Sequence, residues 1–215
     1  MTTPGGPPGI ATGVLELDRS VPAQVTNAVV KIGLFGAFAV ALVLAPDTVA
    51  GKAMGLRAPL FLAPSVLVPV IAWRRHWRPY PHTADGLLSL PFLLDTLANL
   101  FRLFDNYAIT DDILHVLNWA LLVGAFHAFR FRNVGDQRDA RLLGYGFGAL
   151  AIVWWEIVEW LVSEDGLGGA DGLALTYGDT VGDLLASSSG GLVGSVLAVR
   201  LLGPRVRVRE PSPAP

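Results

Sequence analysis

Trp154-Trp155-Glu156-Ile157-Val158-Glu159-Trp160 sets two carboxylates three residues apart inside an otherwise apolar run. On a helix, residues i and i+3 share a face, so Glu156 and Glu159 look the same way. The surrounding stretch, 149–161, reads as part of a membrane span. An ionisable group inside such a span is costly to bury and marks a functional site by default.

The rest of the chain has the same character. Of its 215 residues 52% are hydrophobic and only 16% charged, with mean hydropathy +0.49. Soluble domains are nearer ~25% charged. The composition therefore predicts an all-α, polytopic membrane helix bundle, and the lipid bilayer is its first partner. A net charge of −2 supplies no basic field for nucleic acid. Cysteine is absent, which excludes disulfides, thiolate metal sites and a cysteine nucleophile. Residues 1–20 read as a disordered tail without the basic start and apolar core of a cleaved signal. Residues 21–203 read as the bundle, and 204–215 as a basic, proline-rich disordered tail.

A spanning helix needs about 20 mostly apolar residues. Six stretches read as spans: 25–44, 58–73, 86–104, 112–129, 142–162 and 180–202. Lys31 is close enough to the start of the first to snorkel. The second is short and carries Pro59, Pro64 and Pro69; Pro91 should kink the third. Basic residues orient the set. Arg19, Arg74, Arg75, Arg78, Arg130, Arg132, Arg138, Arg141, Arg200, Arg205, Arg207 and Arg209 fall on one side, against Lys52, Arg57 and Arg102 on the other. By the positive-inside rule both termini are cytoplasmic in a multi-pass protein of the plasma membrane. Trp73 and Trp77 then mark the inner interface, and Trp154, Trp155 and Trp160 the outer one.

On this topology the acids converge. Asp112 and His115 open the fourth span, Glu156 and Glu159 sit in the outer part of the fifth, and Asp179 and Asp183 begin the sixth. Asp95 and Asn99 of the third span form a deeper polar wall, with Arg102 and Asp105 further out. Each pair is spaced i,i+3 or i,i+4 and presents one polar stripe, as an inward-facing ligand set requires. Clustered carboxylates need positive charge among them: a divalent metal, Arg102 or bound protons. Carboxylate with imidazole and no thiol suits Zn, Mn, Fe or Mg. Plainer roles exist as well. Asp111, Asp112 and Asp179 can cap helices, His115 can be a hydrogen-bonded interior histidine, and Asp95 can pair with Arg102 or Asn99. His76 and His127 read as interfacial. Glu156 with Glu159 resists such a reading best, since neither caps a helix.

Gly182, Ala186, Gly190 and Gly194 make a small-residue ladder on the sixth span, as Gly144 and Gly148 do on the fifth. Such ladders let helix backbones approach within the bundle or in a homo-oligomer.

Three segments carry a resemblance: Asp105-Asn106-Tyr107 through Thr110-Asp111-Asp112-Ile113-Leu114-His115, then Glu156-Ile157-Val158-Glu159-Trp160, then Tyr177-Gly178-Asp179-Thr180-Val181-Gly182-Asp183. In these the chain resembles the YjdF-like family of small bacterial inner-membrane proteins. The resemblance implies a polytopic membrane protein and no particular reaction.

Three functions are then open. The acids could hold a metal in an intramembrane enzyme acting on a lipid-linked substrate. They could relay a cation or proton in a transporter, or they could be a polar packing cluster in a structural or partner-binding protein. The topology itself predicts that a cytoplasm-dependent reporter fused after Arg209 is active. Activity of a reporter that works only outside the cytoplasm, fused at the same point, would refute it.

Overall fold

The computed structural model describes residues 13–130, 137–162 and 176–203. The expected disordered C-terminal tail, 204–215, lies outside the described residues. Among those described every regular element is helical. They are α1 (Gly13–Asp18), α2 (Val21–Ala39), a π turn (Val40–Leu44), a short 3-10 turn (Pro46–Val49), α3 (Met54–Arg74), α4 (His82–Leu100), α5 (Leu103–Asn106), α6 (Ile109–Arg130), α7 (Gln137–Val162) and α8 (Tyr177–Leu202). Among the described residues five helical segments are long and apolar enough to cross a membrane: Val21–Leu44, Met54–Arg74, Ile109–Arg130, Arg141–Leu161 and Tyr177–Leu202. The sixth long helix, α4, falls short in apolar character, yet it packs against α2, α3 and α6.

Cross-helix contacts give the directions. Arg57 meets Asp95 while Ser65 meets Ser89, so α3 and α4 run antiparallel. Gly190 lies on Val116 and Gly194 on Ala120, so α6 and α8 run parallel with α7 as the return between them. That pair is held at very close range. A Cβ on Gly190 would stand 2.1 Å from the Val116 carbonyl oxygen, and one on Gly194 2.3 Å from that of Ala120. The expected ladder is thus only half used. A Cβ on Gly182 would meet nothing within 4 Å. The buried face of α8 instead continues upward through Ser187 and Asp183. On α7, Gly144 makes room for the His127 ring and Gly148 for Val123. His127 is therefore fully buried, with Nε2 3.0 Å from Ser195 Oγ, and is not interfacial.

Several other expectations are corrected at the basic end of the bundle. Residues 13–18, assigned to a tail, form α1, and Val14 packs with Ala84, Ala128, Ala198, Val199 and Leu202. Asp18 is buried and its Oδ1 accepts from the Thr83 amide at 2.8 Å. It thereby caps α4, whose own N-cap, Pro81, makes no side-chain cap bond. Lys31 does not snorkel. It turns inward to Asp85 Oδ2 at 2.5 Å and donates to the Ser65 carbonyl at 2.9 Å. Ser65 is four residues before Pro69, which has no N–H to offer that carbonyl, so Lys31 supplies the donor the helix lacks. α3 runs unbroken for 21 residues with three prolines inside it. Asp85 also accepts from Asn27 Nδ2 at 3.1 Å and from the Tyr80 hydroxyl. Burial, with the Asp85 carboxylate beside it, pushes the Tyr80 phenol well above its ordinary range.

At the opposite end α4 stops at Leu100, short of the expected 104, because Arg102 takes a left-handed backbone (φ 56°) that no α-helix continues through. Arg102 is 63% exposed and bonds Asp105 at 3.3 Å. Asp105 takes Lys52 at 2.6 Å, and that hydrogen bond, with Arg102 as the lesser cause, holds its carboxyl below the usual range. Trp73, Trp154 and Trp160 are exposed, whereas Trp155 turns in against Phe61, centroids 6.1 Å apart.

Two stability outcomes follow. Gly190→Ala should cost at least about 1–3 kcal/mol, the usual cost of overpacking, while Gly182→Ala, facing open space, should be neutral; unfolding in detergent measures both. Lys31→Met strands the fully buried Asp85 and should cost about 3–5 kcal/mol. Adding Asp85→Asn should restore part of that loss.

Candidate functional site

The register of α6 on α8 builds the centre of the site. α6 begins at Ile109, so Asp111, one full turn before His115, stands over the same face. His115 is buried, and its Nε2 lies 3.6 Å from Asp111 Oδ1 and 3.5 Å from Asp183 Oδ1. Its Nδ1 lies 2.8 Å from Ser187 Oγ. With Nδ1 engaged by the hydroxyl, Nε2 is the nitrogen turned to the carboxylates.

α7 adds the second half. Glu156, Glu159 and Asp183 offer oxygens within 4.8 Å of one another, as do the ligating atoms of Asp111, His115 and Asp183. Asp183 belongs to both groups. Both carboxyl oxygens of Glu156 are buried and have no hydrogen-bond partner. That is an expensive state for an isolated carboxyl group.

The remaining residues sort by position. Asp95 bonds Asn99 Nδ2 at 3.2 Å and Arg57 Nη1 at 3.1 Å. The expected pairing with Asn99 is present, but the arginine is Arg57 of α3, not Arg102. Arg102 and Asp105 belong to the exposed α5 turn. Asp112, three residues before His115, is exposed; Asp111, four residues before it, takes the place next to the imidazole. Asp179 is exposed on the first turn of α8, one turn above Asp183. The cap there is Thr176, whose Oγ1 accepts from the Asp179 amide at 3.1 Å.

Sequence reading missed Arg57 and Ser187 as partners. Arg57 looked like an orientation charge, and no local pattern links it to an acid 38 residues away. Ser187 carried a usable signal, since it lies one turn below Asp183 on the same helical face.

Beside the cluster lies a cavity of about 420 Å³ between α3, α4, α6 and α7. Asp95, Asp111, His115 and Glu159 form its polar end, and Leu122 and Phe147 lie at the other, apolar end. Asp183 and Glu156 do not line it. Asp111 and Glu159 thus face this cavity as well as the cluster, while Glu156 lines a separate hollow of about 280 Å³ with Val153, Trp160, Thr180 and Leu184.

The donor set suits a divalent cation. A coordination sphere with bonds of about 2.0–2.2 Å spans at most ~4.4 Å between opposite ligands, so groups already within 4.8 Å need close only slightly. A ligating histidine normally has its second nitrogen held by a partner, the position Ser187 occupies here.

Residues 28–203 match the sequence pattern of a family described as a predicted membrane protein, DUF2238. No curated protein and no solved structure matches the chain.

Proposed function

The chain belongs to the DUF2238 family of predicted membrane proteins, and on that premise we propose that it is a multi-pass protein of the plasma membrane holding a divalent cation at an outward-facing site. In this reading α4 is a sixth span, both termini are cytoplasmic, and the narrower likeness to the bacterial YjdF-like proteins holds. The observation that carries the ion reading is Glu156, whose two buried oxygens have no hydrogen-bond partner. Close to it are Asp183 and Glu159, and through Asp183 the Asp111–His115 pair. Acids so disposed are stable together only with a cation or protons among them.

Roles follow from the placement of the acids. Asp183, common to both groups of donors, is the central ligand; Glu156 joins it from α7 and His115 from α6, the ion drawing these two groups together, with Ser187 fixing the imidazole ring. Asp111 and Glu159 face both the cluster and the cavity, so they are placed to meet a substrate there. A bound divalent ion supplies Lewis acidity and an acidified water, which makes a metal-dependent enzyme acting on a lipid-linked substrate the favoured activity. The competing reading, a polar packing cluster, is favoured by a second histidine–serine pair on the same seam, His127 with Ser195 at 3.0 Å.

Metal analysis separates the two. Protein purified in detergent should bind about one divalent ion, chosen from Zn, Mn, Fe and Mg. Glu156→Gln should lower occupancy with little loss of fold, because the amide keeps the shape and drops the charge. Ser187→Ala should weaken binding roughly 10–100-fold through the freed imidazole. Affinity should fall as pH is lowered, since imidazole and carboxylates ligate only when deprotonated. A protein that binds none of these ions at neutral pH would leave the packing reading in place.

A further inference from the structure

The cavity beside the ion site has the shape of a binding site in its own right. Its walls are mostly apolar, its titratable groups are gathered at one end, and the Asn118 amide stands further along. From Asp111 to Leu122 it follows α6 for eleven residues, roughly 16 Å at 1.5 Å per residue. That is about half of the ~30 Å hydrocarbon core of a bilayer, or the depth of one leaflet. The cavity also reaches the bundle surface. Leu60, Leu150 and Trp154 line it and are 49%, 62% and 60% exposed. They sit on α3 and α7, which touch through Phe61 and Trp155. A smaller void at the same seam, lined by Leu56, Arg57, Val158 and Glu159 among others, lies beside the polar end.

We infer that this cavity takes one hydrocarbon chain of an amine-bearing lipid, entering sideways between α3 and α7 from the leaflet at the acidic end. The chain lies against Phe147, Leu150 and Leu122, while the ammonium head rests at Asp111, His115 and Glu159. A second acyl chain stays in the bilayer, which the open seam allows. Charge selects the head. Asp95, Asp111, Asp183, Glu156 and Glu159 gather at this end, and Arg57 is already bonded to Asp95. Arg57 and one divalent ion together still leave the group acid-rich, so an ammonium is the complement and a bare phosphate is not. The head-group half of this inference rests on the acids themselves, which remain in excess with or without the proposed ion; the chain half rests on the cavity alone.

The test reconstitutes the full chain into vesicles of equal phosphatidylethanolamine and phosphatidylglycerol, re-extracts it in mild detergent, and counts retained lipid by native mass spectrometry. The parent should keep one lipid per chain, with phosphatidylethanolamine enriched several-fold. Ala151→Phe puts a ring into the cavity and should lose that lipid, with ion content and unfolding midpoint like the parent; if this variant does not fold, Leu122→Trp replaces it. A parent stripped of lipid, or a cavity-filled variant that keeps its lipid, overturns the inference. Equal or preferential retention of phosphatidylglycerol overturns the head-group assignment. The count is repeated after chelation: a parent that retains lipid but never binds an ion refutes the ion reading alone.

Discussion

The contact between α6 and α8 is the constraint on which the rest depends. Two glycines, Gly190 and Gly194, sit so near the carbonyls of Val116 and Ala120 that no side chain fits between the backbones. In lipid, where apolar side chains gain nothing by leaving the solvent, close packing of this kind is what holds helices together. The contact also sets a register. Once Gly190 lies on Val116, the next two turns of α8 carry Ser187 and then Asp183 to His115. A change in helix contact at the glycines would therefore be felt at the carboxylates.

α4 shows the complementary problem. Among the described long helices it is the one without a stretch apolar enough to read as a membrane span, and its buried residues include Asp85, Ser89, Thr96 and Asn99. Polar groups are tolerated at that depth only when another helix supplies their partners. α2 supplies Lys31 and Asn27 to Asp85, and α3 supplies Ser65 to Ser89 and Arg57 to Asp95. The bundle thus turns the polar groups of α4 inward, and α4 belongs in it because its neighbours complete it. One interaction serves two helices, since Lys31 balances Asp85 and also satisfies the carbonyl left open by Pro69.

Against that background the acid cluster stands apart. The polar groups along α4 largely find protein partners, whereas Glu156 finds none for either oxygen. It lies where three helices bring acids together, next to a cavity one leaflet deep. The proposed ion at Glu156 and Asp183, with a lipid entering beside Asp111 and Glu159, would give both features a single purpose. It also explains why the cavity is apolar at one end and acidic at the other.

Much of this was legible in the residues. Composition and the ~20-residue apolar runs determined an all-helical membrane bundle, because a spanning segment must satisfy its own backbone. Helical periodicity determined that Glu156 and Glu159 share a face, and the basic residues placed the acids of four helices at one end. Periodicity says which residues share a face on one helix and nothing about what that face meets. Only the tertiary structure decided that Asp111 rather than Asp112 adjoins His115, that Arg57 rather than Arg102 pairs with Asp95, and that Lys31 turns inward instead of snorkelling. Each of those outcomes depends on helix rotation and on a partner tens of residues away, set by the glycine contacts between α6 and α8 and by the proline-opened carbonyl of α3. No local pattern records such distances, and the cavity, bounded by four helices at once, has no counterpart in any single stretch of the chain.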